Sequence, residues 1–184
     1  MADLQAAFKK ARDYGIGEYL ELLGELSQES TKKGRLDRKT KELITLGIAL
    51  AKNCHRCIAI HTDAAKRLGM SGQEMRELNK LLLFTNASPG CDRADLWDEW
   101  RDSWKSFACA TGPIPRLHRE LIALGIAMVR QQRAHIEIHA HAALAQGAEA
   151  NLIFEVVPIA LLMDGAPALS QIPYLVDALD EQQQ

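Results

Sequence analysis

Apolar residues recur every three to four positions along nearly the whole chain, and no segment alternates apolar and polar residues between turn residues for long enough to make a strand. The pattern predicts helices near 3–13, 16–29, 38–52, 54–68, 72–84, 93–108, 116–130, 132–146, 149–164 and 167–180. Gly69 and Gly147 fall where helix C-caps belong, and Ser71 with Glu74 reads as a capping box for the helix that follows. The stretch NASPGCD (86–92) reads as a connecting loop, and DEQQQ (180–184) as a frayed end. The expected fold class is all-α.

The same pattern is written twice. RKTKELITLGIALAKNCHRCIAIHTDAAKRLG (38–69) aligns without gaps on RLHRELIALGIAMVRQQRAHIEIHAHAALAQG (116–147), each partner 78 positions later, with 14 of 32 pairs identical. Two unrelated amphipathic helices would match in apolar class alone, but Arg38/Arg116, Glu42/Glu120, His61/His139 and Gly69/Gly147 match in identity. The offset also pairs Tyr19 with Trp97, Leu22 with Trp100 and Leu26 with Trp104, a helical apolar stripe expected to be core. Two tandem, pseudo-symmetric helical repeats are therefore expected, over 1–86 and 87–184, packed as one unit about a pseudo-two-fold axis.

Composition narrows the partners. With 184 residues there is length for one substantial core, or for two small halves sharing one. The balance of 22 basic against 24 acidic residues gives no electrostatic reason to expect a nucleic-acid or anionic-membrane partner. The most apolar stretches, 43–51 and 156–163, fall well short of the roughly 20 residues that span a bilayer. The N-terminal MADLQAAFKKARDYG lacks the uninterrupted apolar core of a secretory signal, so a cytoplasmic protein is expected. Four cysteines (54, 57, 91 and 109) are too few for a disulfide scaffold in a chain of this size. Lys32, Lys33 and Arg35 read as a solvated turn.

At 100° per residue Cys54, Cys57 and His61 fall within about 60° of one another on one helical face. The cysteines sit in the first turn of that helix, where unpaired N–H groups and the helix dipole stabilise a thiolate. Glu42, twelve residues before Cys54 on the preceding helix, is placed to fold over the same spot and to orient His61 or relay a proton. Three readings stay open at this point: a redox pair, two small buried residues, or half of a zinc site, although Cys54, Cys57 and His61 supply three ligands where a closed site needs four.

The spacing Glu, eleven residues, CxxC, three residues, His, carried here by Glu42, Cys54, Cys57 and His61, resembles the carboxymuconolactone decarboxylase family, and within it the alkyl hydroperoxidase D-like branch. The resemblance implies an all-helical, internally duplicated protein that assembles as a homotrimer or hexamer and needs no cofactor. It implies that Cys57 attacks a hydroperoxide, that Cys54 resolves the product as a disulfide, that His61 and Glu42 pass the proton, and that a dithiol donor reduces the disulfide again. Members often carry His or Tyr just before the second cysteine. Arg56 stands there in this chain, and a guanidinium can lower a thiol pKa but cannot shuttle protons at neutral pH.

In the second copy Cys54 becomes Gln132 and Cys57 becomes His135, while the Glu–His pair persists as Glu120 and His139. Thiol chemistry is gone from it. Glu120, His135 and His139 form a candidate two-histidine, one-carboxylate metal set, against the plainer reading of a decayed copy held by a structural Glu–His bond. His141 points to the other side of its helix. Three functions are thus in play: a thiol–disulfide oxidoreductase acting on a hydroperoxide or disulfide, a decarboxylase-branch enzyme working through His and Glu, and a metal-binding oligomeric protein.

Overall fold

A computed structural model of the chain describes residues 4–89 and 93–181. Among them every regular element is helical. The order is α1 (Leu4–Ala11), a kinked turn over Arg12–Ile16 with Gly15 at φ +87°, α2 (Gly17–Thr31), α3 (Arg38–Ala51), α4 (His55–Arg67), α5 (Gly72–Asn86) and α6 (Ala94–Cys109). It continues with α7 (Arg116–Val129), α8 (Arg133–Leu144), α9 (Ala150–Ile153), α10 (Val156–Asp164), α11 (Ala166–Leu169) and α12 (Ile172–Asp180). No helix is long and apolar enough to cross a membrane among the described residues.

The predicted caps form. Ser71 and Glu74 make the reciprocal capping box, and Gly69 and Gly147 adopt φ +87° and +81° just past their helices. The two C-terminal helices are each broken in two, contrary to their unbroken apolar periodicity. Pro158 and Pro173 explain both breaks. A proline has no N–H for the carbonyl four residues back and its ring crowds that carbonyl, so the helix stops around Phe154 and around Leu169. Helix α5 runs on to Asn86, the first residue of the expected 86–92 loop; Gly90 to Asp92 of that loop, and residues 182–184 of the tail, lie outside the described residues.

The core is the crossing of α3 and α7, whose residues are buried from Thr40 to Ala49 and from Arg119 to Val129. They cross at glycines that are partners under the offset. A Cβ on Gly47 would lie 2.7 Å from Cγ2 of Ile122, and one on Gly125 would lie 3.1 Å from Cγ2 of Ile44. Thr40 Oγ1 and His118 Nδ1, also offset partners, meet at 3.2 Å. Contacts between a residue and its own repeat partner occur only on an axis, so the two halves pack about a pseudo-two-fold.

That symmetry swaps ion pairs between the halves. Lys41 of the first half pairs with Glu155 of the second at 2.9 Å, and Arg119 of the second pairs with Glu77 of the first. Each cation also closes the end of the helix before its own: Lys41 Nζ donates to Lys32 O at 2.7 Å, and Arg119 Nη1 donates to the carbonyls of Phe107, Ala108 and Ala110 at 2.7–2.9 Å. Gly34 and Gly112 leave the space, since a Cβ on either would overlap the carboxylate of Glu155 or of Glu77. Burial works to raise the pKa of Glu155, but Lys41 and the backbone N–H groups of Arg35 and Leu36 outweigh it, leaving the carboxyl below its ordinary range.

Candidate active site

Helices α3 and α4 build the first site. At the end of α3, Lys52 pairs with Asp164 of α10, and Asn53 then turns the chain at φ +53° to start α4. The repeat does the same with Arg130, Asn86 and Gln131 at φ +56°. Cys54 is the N-cap of α4, and its Sγ accepts the N–H of Cys57 at 3.4 Å. Cys54 and Cys57 are disulfide-bonded, with Cα atoms 5.3 Å apart.

One turn beyond Cys57, His61 Nδ1 lies 2.9 Å from Oε2 of Glu42. A carboxylate accepts, so a hydrogen sits on Nδ1 of the imidazole, and in the neutral ring this leaves the lone pair on Nε2, the tautomer of a proton acceptor. Glu42 is buried on α3 while His61 and both cysteines are half-buried. All four residues singled out from the sequence therefore lie on two adjoining elements, as two bonded pairs. A bonded thiol pair beside an oriented imidazole can accept two electrons and move one proton.

The second copy keeps the pair and closes it off. His139 Nδ1 meets Glu120 Oε2 at 2.8 Å, and both residues are buried. Trp104 donates its indole N–H to the same carboxylate at 3.2 and 3.3 Å, with its ring 4.8 Å from that of His139. His135 packs beside His139, ring centroids 5.7 Å apart, but its Nε2 meets Ser88 Oγ at 2.5 Å. Burial, reinforced by His139 and Arg130, pushes the His135 pKa down to about 3. Carboxylate and histidines thus gather as the repeat requires; Trp104 occupies the Glu120 carboxylate and Ser88 the Nε2 of His135, while Nε2 of His139 is buried without a hydrogen-bond partner. Among the described residues no group of three His, Cys, Asp or Glu side chains is placed to hold an ion.

The two sites differ most in their cover. Trp100 and Trp104 on α6 are 6% and 3% exposed and pack on His135 and His139. Their partners on α2 do not roof the first site. Tyr19 is 67% exposed and Leu22 is 62%, with Leu26 half-buried, so the apolar stripe expected to be core is core only in the second half. Helix α2 packs along α10 and turns the rest of its stripe to solvent. The CxxC pair is left accessible, and the copy that lacks it is sealed. Two contacts have different standing in the sequence: Trp104 lies on the stripe the offset reveals, whereas Ser88, 47 residues from His135 in an irregular segment, gives no signal at all.

Comparison with known proteins gives a family match on both halves: the carboxymuconolactone decarboxylase family matches residues 17–100 and again 94–172. No curated protein and no solved structure matches the chain.

Proposed function

We propose that this chain, which belongs to the carboxymuconolactone decarboxylase family as an internally duplicated, all-α member, is a thiol–disulfide oxidoreductase that reduces hydroperoxides in the manner of the alkyl hydroperoxidase D-like branch. One observation carries the reading: a bonded Cys54–Cys57 pair opens a helix on which His61, oriented by Glu42, follows one turn later, and this is the copy left uncovered.

In the reduced enzyme Nε2 of His61 takes the proton of Cys57. The thiolate attacks the terminal oxygen of ROOH, the O–O bond breaks, and the departing alkoxide collects that proton as ROH, leaving a sulfenic acid on Cys57. Cys54 then attacks the Cys57 sulfur, the S–S bond forms and hydroxide leaves as water, so two thiols supply the two electrons. The N–H that Cys54 Sγ accepts at the helix start stabilises a thiolate there, the form in which a resolving cysteine attacks. A dithiol donor returns the two electrons. No metal or cofactor enters any step. The decarboxylase chemistry of the family has no use for the thiol pair, which is what favours the redox reading over it. We place the enzyme in the cytoplasm and read it as a homo-oligomer, the latter as the resemblance implies.

His61→Ala, assayed with a hydroperoxide and dithiothreitol as donor, is expected to lower kcat/KM for the peroxide roughly a hundredfold or more, the usual weight of a positioned acid–base group. Turnover at the wild-type level would remove His61 from the mechanism.

A further inference from the structure

We propose that the apolar face of α2 docks into the groove between α5 and α6 of a second copy of this chain, joining protomers head to tail. This deepens the oligomeric part of the reading above and does not depend on the thiol chemistry.

The internal duplication supplies the template. In one protomer α2 packs along α10, on which Leu161 is half-buried. The repeat partner of Leu161 is Leu83 on α5, and nothing covers it: Leu83 is 67% exposed. Around it Phe84, Ala87, Leu96 and Trp100 line two adjoining apolar hollows of about 240 and 340 Å3. Helix α6 meets α5 at Phe84, which carries Trp104 and Phe107 and accepts the indole N–H of Trp100 at 3.1 Å, but it leaves Leu83, one residue before, open to solvent. Each half thus leaves one apolar patch open, and the two patches are of different kinds: a helix ridge in the first, a groove in the second.

Charge favours the match. Glu18 and Glu25 flank Leu22 within about 60° on α2, and Arg76 and Lys80 flank Leu83 within about 60° on α5. All four are exposed, and among the described residues none of them makes an ion pair. Helix α2 carries four glutamates and no basic residue. Brought onto α5, its acidic edges meet the bases beside the groove, and Tyr19, Leu22 and Leu23 cover Leu83 and the open edge of Phe84. A contact between two unlike patches forms a closed ring when its rotation divides the circle, and a trimer is one such ring. It also accounts for α2 standing clear of the thiol site: the stripe is used between protomers, and access to Cys54 and Cys57 is kept.

The test uses two full-length variants. Leu22→Asp with Leu23→Asp spoils the ridge and spares the groove; Leu83→Asp spoils the groove and spares the ridge. All three positions are exposed, so melting temperatures are expected to stay at the wild-type value. By light scattering at micromolar concentration the wild type is expected to be a ring oligomer and each variant alone a monomer. Mixed one to one, they are expected to give a heterodimer, because one intact ridge and one intact groove remain. Lys80→Glu, which leaves both apolar patches whole, is expected to weaken association about tenfold. A monomeric wild type would overturn the oligomeric reading and the docking with it. An oligomeric wild type whose mass survives both Leu83→Asp and Lys80→Glu, or variants that stay monomeric on mixing, would overturn the docking alone.

Discussion

Cys57→Ser is expected to lose hydroperoxide turnover by about 10³-fold or more, because a serine hydroxyl at that position is neither ionised nor nucleophilic enough toward a peroxide oxygen. Cys54→Ser is expected to fail differently: one equivalent of peroxide is consumed, no disulfide forms, and a dimedone-reactive sulfenic acid stays on Cys57, identifiable by mass spectrometry. The two variants separate the roles of sulfurs only a helical turn apart. Trapping the sulfenic acid on Cys54 in Cys57→Ser, with turnover maintained, would reverse the assignment.

Arg119→Ala is expected to destabilise the chain by about 3–5 kcal/mol, a fall of about 10 °C in melting temperature, as for other buried ion pairs that lose one partner. The guanidinium is buried, closes the end of α6 through three carbonyls and faces the buried carboxylate of Glu77. Its removal strands an acid in the core. The double change Arg119→Met with Glu77→Gln is expected to cost less than Arg119→Ala, since no charge is left unpaired. Equal melting temperatures for wild type and Arg119→Ala would show that the swapped pairs do not hold the halves together.

The first site could be read from the sequence because the spacing of Glu42, Cys54, Cys57 and His61 is local: two helices and one short turn fix it. The second pair followed by translation, since Glu120 and His139 inherit the geometry of Glu42 and His61. What periodicity could not say was what covers each face. Leu22 and Trp100 occupy the same place in the same stripe, yet one lies in solvent and the other against His135, because a repeat specifies which side is apolar and not which element comes to meet it. The swapped pairs Lys41–Glu155 and Arg119–Glu77 were hidden for a related reason: each joins residues of different halves, and charge alone names no partner. Pro158 and Pro173 did carry their signal in the sequence, but the apolar spacing runs through them unbroken.

If the Cys54–Cys57 pair cycles between dithiol and disulfide, a hydroperoxide consumes these two thiols and spares the others. Fully reduced protein, with its four thiols, is mixed with one equivalent of hydroperoxide and the remaining thiols are titrated under denaturing conditions, with alkylation and peptide mapping to locate them. Two thiols per chain are expected to be lost, both in the peptide that holds Cys54 and Cys57, with Cys91 and Cys109 still reduced. Four thiols remaining, or a loss confined to Cys91 or Cys109, would contradict it.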